Sequence, residues 1–447
     1  MSSMRRRLST LVATGWRDIF VRSTQRDSAL DGLRAIACIW VVGVHTISFL
    51  GSFWLEESRD VHVLARPAFI HVMDNPWLRI LQKGYMGVDL FFVLTGLLMG
   101  RILLREMERT HTINVPKFYY GRILRLFPAY AAVMIVNALL VPDNDIHGIW
   151  ANIFYVNNYL PTYKQFMIHG WSLAVEQQYY VLLPLVLLAI SQLGRLRKIH
   201  VVIAILIGVV LRALAVMKYQ LYMNSAANPA IDRMMCELYN DAFDNKLHTQ
   251  FGSMATGLLV AVMMTRANAG QWLREHRWAS VLGLVVSAGV VYAIVSPSPV
   301  GDSQALSSVV VGVYMTLFQP LFAAAMAFIV YLAVLRCGPT RNFFRFLEHR
   351  VWFPIAQLSY GVYLVHLLII KLVYSTMPPT NPSAPTVALM WLGFVVAALA
   401  LAVPLFIFVE APFMRLRAKR KQHGPAIARA PQPRSPAAPG GDIAESI

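Results

Sequence analysis

The sequence contains few charged residues and few cysteines. Asp, Glu, Lys and Arg make up 14% of its 447 residues, against 57% hydrophobic residues. That leaves too little polar surface for a soluble globule of this size. Cys38, Cys236 and Cys337 are widely separated and form no pair with the spacing of a metal site. We therefore expect no bound metal and no required disulfide.

Long apolar runs are what the sequence has in abundance. Runs of about 17 to 25 residues are long enough to cross a bilayer as helices. We predict ten such spans, near residues 32–54, 84–104, 122–141, 172–193, 199–217, 247–265, 278–295, 305–335, 354–374 and 386–409. The eighth run could instead form two short helices broken at Pro320, which makes eleven spans the alternative. The predicted fold class is an all-α integral membrane protein.

The basic residues fall mainly on one side of these spans. The net charge is +17, which in a soluble protein would suggest a nucleic-acid partner. Here alternate loops and both ends carry most of the Lys and Arg, the pattern of cytoplasmic segments. We therefore expect both termini in the cytoplasm, a lipid bilayer as partner and no nucleic acid. The predicted units are a basic extension (1–30), a transmembrane domain (31–417) and a disordered tail (418–447).

Two polar residues of the first span lie on the same helix face. His45 follows Arg34 by eleven residues, almost three turns, with a rise of about 16 Å. A surface cation and a titratable imidazole deep in the bilayer suit an elongated anionic donor with a reactive far end. The alternative is a snorkelling arginine and a histidine bonded to a neighbouring helix.

Other ionisable residues interrupt later spans, where the membrane makes them costly. Arg122 and Arg125 lie one turn apart at the start of the third span. They can clamp phosphates or only anchor the helix at the surface. Asp89 and Glu176 can orient an imidazole or bind hydroxyls, or form structural ion pairs. His366 is the second intramembrane imidazole and fits packing or substrate contact better than the role of base.

Six segments together resemble the signature segments of the acyltransferase 3 family. In order they read LDGLRAIACIWVVGVHT, GVDLFFVLTGLLMG, FYYGRILRLFPAY, WSLAVEQQYYVLLPL, LSYGVYLVH and VEAPFMRLR. The resemblance spans roughly residues 30–417. Two positions depart from the family pattern: Gln177 follows Glu176 where a second acid is usual, and Thr95 replaces a serine. The first departure weakens any role that needs two carboxylates there.

The resemblance implies transfer of an acyl group, acetyl above others, from acyl-CoA to a hydroxyl of a glycan, glycolipid or glycosylated small molecule. It implies that Arg34 and His45 are essential and that Arg122 and Arg125 match the family's paired arginines. His45 would act as the base, and Glu176 or Asp89 would orient it or the acceptor. The candidate acceptor contacts are His366, Trp171 and Ser172.

Acyl-CoA would be a substrate, and no permanently bound cofactor is expected. Many family members carry a C-terminal esterase-like domain; we expect a stand-alone member without one, in the bacterial inner membrane. A proton-coupled secondary transporter could use the same buried acids, histidines and arginines. No repeated halves support that alternative. A sensor without chemistry is a third interpretation, in which Arg34 and His45 would tolerate replacement.

The topology predicts how reporters fused to the chain will behave. A reporter after residue 421 and one between the second and third spans should both be cytoplasmic, because the loops assigned to that side carry most of the Lys and Arg. Enzymatic or fluorescent topology reporters measure this directly. A periplasmic signal from either fusion would contradict the ten-span arrangement.

Overall fold

The computed structural model describes residues 2–22, 27–57, 75–141, 146–192, 194, 196–221, 240–265, 268, 270–296, 308–336, 340–377 and 383–422. Within these ranges every regular element is a helix. The α-helices in chain order are α1 (Ser2–Phe20), α2 (Ser28–Glu57), α3 (Pro76–Gln82), α4 (Met86–Thr110), α5 (Val115–Leu140), α6 (Ile149–Ile153), α7 (Gly170–Gln192), α8 (Lys198–Lys218), α9 (Leu247–Met264), α10 (Gln271–Glu275), α11 (Arg277–Val295), α12 (Ser308–Leu335), α13 (Thr340–Leu347), α14 (Trp352–Thr376), α15 (Ala384–Leu405) and α16 (Ala411–Gln422).

Ten helices of the described part are long and apolar enough to cross a membrane. They comprise α2, α5, α7, α8, α9, α11, α12, α14, α15 and the rod formed by α3 and α4, which a 3-10 turn joins. The predicted all-α class and the count of ten spans are confirmed. The cytoplasmic placement of both termini stays a prediction.

The run predicted as one span or two forms a single helix. α12 continues through Pro320 without a break. At 1.5 Å per residue its 28 residues extend about 42 Å, enough for one tilted span. Two spans would need about 40 residues, so the chain here is too short for the alternative. Lipid-embedded helices accept an internal proline because neighbouring groups bond the freed backbone carbonyl.

Helices at the chain ends pack onto the transmembrane bundle. The predicted basic extension forms α1, in which Ile19 is fully buried and Asp18 pairs with Arg415 of α16 at 2.7 Å. α16 continues as a helix to Gln422, past the start of the segment predicted to be disordered. The rest of that predicted tail, 423–447, lies outside the described residues.

Two glycines bring α4 and α9 into backbone contact. A Cβ atom on Gly96 would lie 1.9 Å from the carbonyl oxygen of Met254, and one on Gly257 would lie 1.9 Å from that of Val93. Neither position has room for a methyl group. Small residues allow such close approach in membranes, where van der Waals packing drives helix association.

We expect Gly96→Ala and Gly257→Ala each to destabilise the protein by about 1–3 kcal/mol, because the added methyl group must push two backbones apart. The measurement is the apparent melting temperature of purified protein in detergent. Gly289→Ala is the matched control, since a Cβ there meets nothing within 4 Å. Equal melting temperatures for all three variants would contradict the close packing.

Candidate active site

A cavity of about 510 Å³ lies among α2, α4, α5, α7 and α14. Its lining is rich in arginines contributed by helix ends: Arg34, Arg101, Arg105, Arg122, Arg125 and Arg417. Three carboxylates also line it, those of Asp27, Asp31 and Glu176. The structure thus gathers the three predicted donor-binding arginines and adds three more. A concave site with this excess of positive charge attracts an anion.

Arg122 is the most buried cation of the cavity. α5 begins after Asn114, whose side chain caps the helix by accepting a hydrogen bond from the amide of Lys117. Two turns later the Arg122 side chain passes between the rings of Phe118 and Tyr180, 5.8 and 6.0 Å from its guanidinium carbon. It is 7% exposed, and its Nε finds no hydrogen-bond partner among the described residues. A buried guanidinium with an unused donor favours an anionic ligand.

Two of the lining carboxylates are already engaged by arginines. Asp27 forms an ion pair with Arg101, and Asp31 lies 3.1 Å from Nε of Arg22. Arg34 donates from Nη2 to the hydroxyl of Ser359 at 3.4 Å. The acids near the cavity mouth therefore neutralise only part of its positive charge.

Another part of the cavity wall is formed by the carboxylate of Glu176 and by several hydroxyl groups. The Glu176 carboxylate accepts hydrogen bonds from the hydroxyls of Thr95, at 2.7 Å, and Tyr180. The hydroxyl of Ser172 is hydrogen-bonded to that of Tyr363. Glu176 and Ser172 were predicted from the sequence, and both line the cavity.

Three histidines cluster next to Tyr363. Nε2 of His366 lies 3.2 Å from Nδ1 of His45, and the ring centroids of His366 and His169 are 5.4 Å apart. The hydroxyl of Tyr363 donates to the backbone carbonyl of His169 at 2.9 Å. Tyr363 lines the cavity, whereas none of the three histidines does. The predicted base therefore lies beside the arginine cavity, with Tyr363 joining the two.

Arg34 and His45 both contact α14, as their shared helix face predicts. Arg34 meets Ser359 and His45 meets His366, two turns further along α14. His169 was not predicted as a site residue. It lies two residues before the WSL segment and directly before α7, and this nearness to a signature segment was the signal that could have found it.

Asp89 belongs to a different polar cluster. Its carboxylate accepts from Ser253 at 3.1 Å and from Gln319 at 3.4 Å, and Gln319 also donates to Asp244 at 3.0 Å. Asp89 does not line the cavity, so the structure does not bring it to Glu176.

Two further predicted contacts also lie away from the cavity surface. Trp171 packs edge-on against Phe92, with ring centroids 6.3 Å apart, and His366 contacts His45 instead of the cavity. Cys38 is buried and not in a disulfide, while Cys236 and Cys337 lie outside the described residues.

Comparison with known proteins gives one family and several relatives. A family model described as an acyltransferase domain, that of the acyltransferase 3 family, matches residues 27–409. A protein provisionally named an O-acetyltransferase in Staphylococcus aureus strain COL is 32% identical over 178 residues, 36% of this chain and 24% of that protein. O-acetyltransferase OatA of S. aureus strain NCTC 8325 is 32% identical over 175 residues, 35% of this chain and 24% of its own. No solved structure matches.

The extent of these matches decides what they establish. The chain covers about a quarter of the length of these relatives, so their whole activity does not transfer with the similarity. The match to the family model is more extensive. It covers well over half of the chain and includes every predicted site residue. This multi-span membrane protein belongs to the acyltransferase 3 family.

Proposed function

We propose that the protein transfers an acetyl group from acetyl-CoA to a hydroxyl of a glycan, glycolipid or glycosylated small molecule. The observation that carries this proposal is the arginine-lined cavity whose wall, at Tyr363, contacts the histidine cluster. The names of the relatives, O-acetyltransferases, support the acyl group and the oxygen acceptor. We place the protein in the bacterial cytoplasmic membrane.

The arginines would hold the phosphates of the donor. Arg34, Arg122 and Arg125 come from two helices and face one cavity. Guanidinium forks bind phosphate oxygens in pairs, and the unused Nε of Arg122 is such a donor. With its phosphates held at this end, the extended arm of acetyl-CoA would direct its thioester towards Tyr363 and Ser172.

Hydrogen bonding assigns the basic nitrogen of His45. Nδ1 of His366 lies 2.8 Å from the carbonyl oxygen of Tyr363, which requires a proton on that nitrogen. Nε2 of His366 then carries a lone pair and accepts from Nδ1–H of His45, which also faces the carbonyl of Val41 at 2.9 Å. The neutral His45 is left with its lone pair on Nε2. The Val41 carbonyl and His366 both favour this tautomer, and His366 would in addition hold the ring of His45 in place as a positioning residue.

In the proposed step one ester bond forms as one thioester bond breaks, and the proton passes from the acceptor to the leaving group. Nε2 of His45 takes the proton of the acceptor hydroxyl while that oxygen attacks the thioester carbon. The carbon–sulfur bond breaks, and the CoA thiolate leaves and takes the proton from the imidazolium. Ser172 lines the cavity beside Tyr363. Its hydroxyl would turn from Tyr363 to donate to the thioester carbonyl oxygen as that oxygen gains charge. Glu176, bonded to Thr95 and Tyr180, would bind the acceptor or the pantetheine arm.

The donor clamp can be tested by binding. Arg122→Gln and Arg34→Lys should weaken CoA binding about tenfold or more, because each loses a charge-assisted or bidentate contact of about 1.5–3 kcal/mol. Isothermal titration of purified protein with CoA measures this. The control is Arg109→Gln, because Arg109 is an exposed arginine of α4 that does not line the cavity. Wild-type affinity in Arg122→Gln protein would contradict the clamp.

The base and its positioning residue can be tested by transfer of radiolabelled acetyl. His45→Ala should abolish transfer but retain CoA binding, since a base acts on the acceptor proton. His366→Leu should lower kcat by about 10² or more with little change in KM for acetyl-CoA, whereas His366→Gln keeps an acceptor atom and should restore most of kcat.

Two controls separate these roles from folding and from a covalent route. His276→Gln should leave transfer unchanged, because His276 is a half-buried histidine that lies outside the cluster. Labelled acetyl retained on denatured wild-type protein without acceptor, and lost in His45→Ala, would favour an acyl-enzyme over direct attack. Full transfer by His45→Gln protein would refute the base, and equal kcat in the His366→Leu and wild-type proteins would refute the positioning role alone.

A further inference from the structure

The outward face of α1 carries an apolar stripe. Met4, Leu8, Val12, Trp16 and Phe20 recur every four residues and are 78, 54, 37, 53 and 50% exposed. The rings of Trp16 and Phe20 pack against each other at a tilt, with centroids 5.0 Å apart. This helix does not qualify as a membrane span, because it begins with a cluster of arginines. Its stripe therefore lies beside the bundle without crossing the bilayer.

The C-terminal half of α1 is fixed to the transmembrane domain. Gly15 lies against Ile407, close enough that a Cβ atom would contact its side chain at 3.0 Å. Ile19 is fully buried, and Asp18 pairs with Arg415. Because these contacts hold the helix in place, the stripe cannot turn inwards to bury itself.

The charges of α1 complement an anionic surface. Arg5, Arg6, Arg7 and Arg17 are exposed, while the one acidic residue of the helix, Asp18, is already paired. Helices that lie in the headgroup layer of anionic membranes combine basic residues with an apolar stripe. Tryptophan is also enriched at that depth.

A second short helix continues this surface. α13 exposes Phe343 and Phe346 by 56 and 63% and buries Phe344 at 1% exposure. The residues that follow the two helices are in contact, since Arg22, just after α1, donates to the carbonyl oxygen of Glu348, just after α13, at 3.2 Å. Arg22 also pairs with Asp31, which lines the arginine cavity. The C-terminal ends of both amphipathic helices therefore lie close to the arginine cavity.

We propose that the outward face of α1 binds the headgroup layer of an anionic leaflet, with the apolar stripe among the acyl chains and the arginines on lipid phosphates. This contact sets the depth of the cavity mouth at the membrane surface. It goes beyond acyl transfer and holds whatever the acceptor is. A second copy of the chain or another protein on the stripe are the competing occupants.

The test measures membrane depth in the full-length protein. Cys38, Cys236 and Cys337 are replaced by alanine, and a nitroxide is attached through Val12→Cys on the stripe or Thr10→Cys on the exposed polar side. Each protein is placed as a single copy in nanodiscs of phosphatidylcholine, with or without phosphatidylglycerol. Electron paramagnetic resonance then gives the collision rates of the label with oxygen and with a water-soluble nickel chelate.

The expected result is several-fold weaker collision of the chelate at position 12 than at position 10, with stronger collision of oxygen at position 12. The difference in collision rates between the two positions should grow when phosphatidylglycerol is present. It should shrink when Arg5, Arg6 and Arg7 are changed to glutamine. CoA binding by each labelled protein checks its fold. Equal chelate access at both positions, shielding of position 12 only in discs with two copies, or no response to phosphatidylglycerol would each overturn the proposal.

Discussion

The contact between α2 and α14 holds the two ends of the candidate active site at a fixed separation. Arg34 meets Ser359 and His45 meets His366, so contacts ascend both helices in the same direction. The distance along α2 from Arg34 to His45 is therefore set by helix rise, about 16 Å. Regular helices hold such a spacing more rigidly than loops do. No segment outside the described residues is needed to maintain it.

The electrostatics of the cavity depend on that arrangement. Six arginines face three carboxylates, and Asp27 and Asp31 are already paired. A guanidinium removed from water is costly unless an anion and its hydrogen bonds replace the lost hydration. Among the described residues, the buried Nε of Arg122 has no such partner. An anionic donor would supply the missing charge, so ligand binding should stabilise this end of the bundle as well as position the substrate.

The sequence could predict the helices because a backbone surrounded by lipid must form its hydrogen bonds within its own segment. It could also predict that Arg34 and His45 share a face, which depends only on local helix geometry. The sequence could not show which neighbouring helix each helix face contacts. Trp171 and Ser172 are adjacent and differ by about 100° around α7. Ser172 therefore lines the cavity while Trp171 packs on Phe92.

Burial in the membrane alone did not separate ligand-binding residues from structural ones. Asp89 is almost fully buried, yet Ser253 and Gln319 donate to its two oxygens. Its oxygens therefore have hydrogen-bond donors within the bundle, as a buried structural carboxylate requires. Arg122 is buried to a similar degree and keeps an unused donor. The cost of burial in the membrane makes both side chains candidates, and their hydrogen bonds then distinguish them. Both oxygens of Asp89 accept hydrogen bonds within the bundle, whereas Nε of Arg122 has no partner among the described residues.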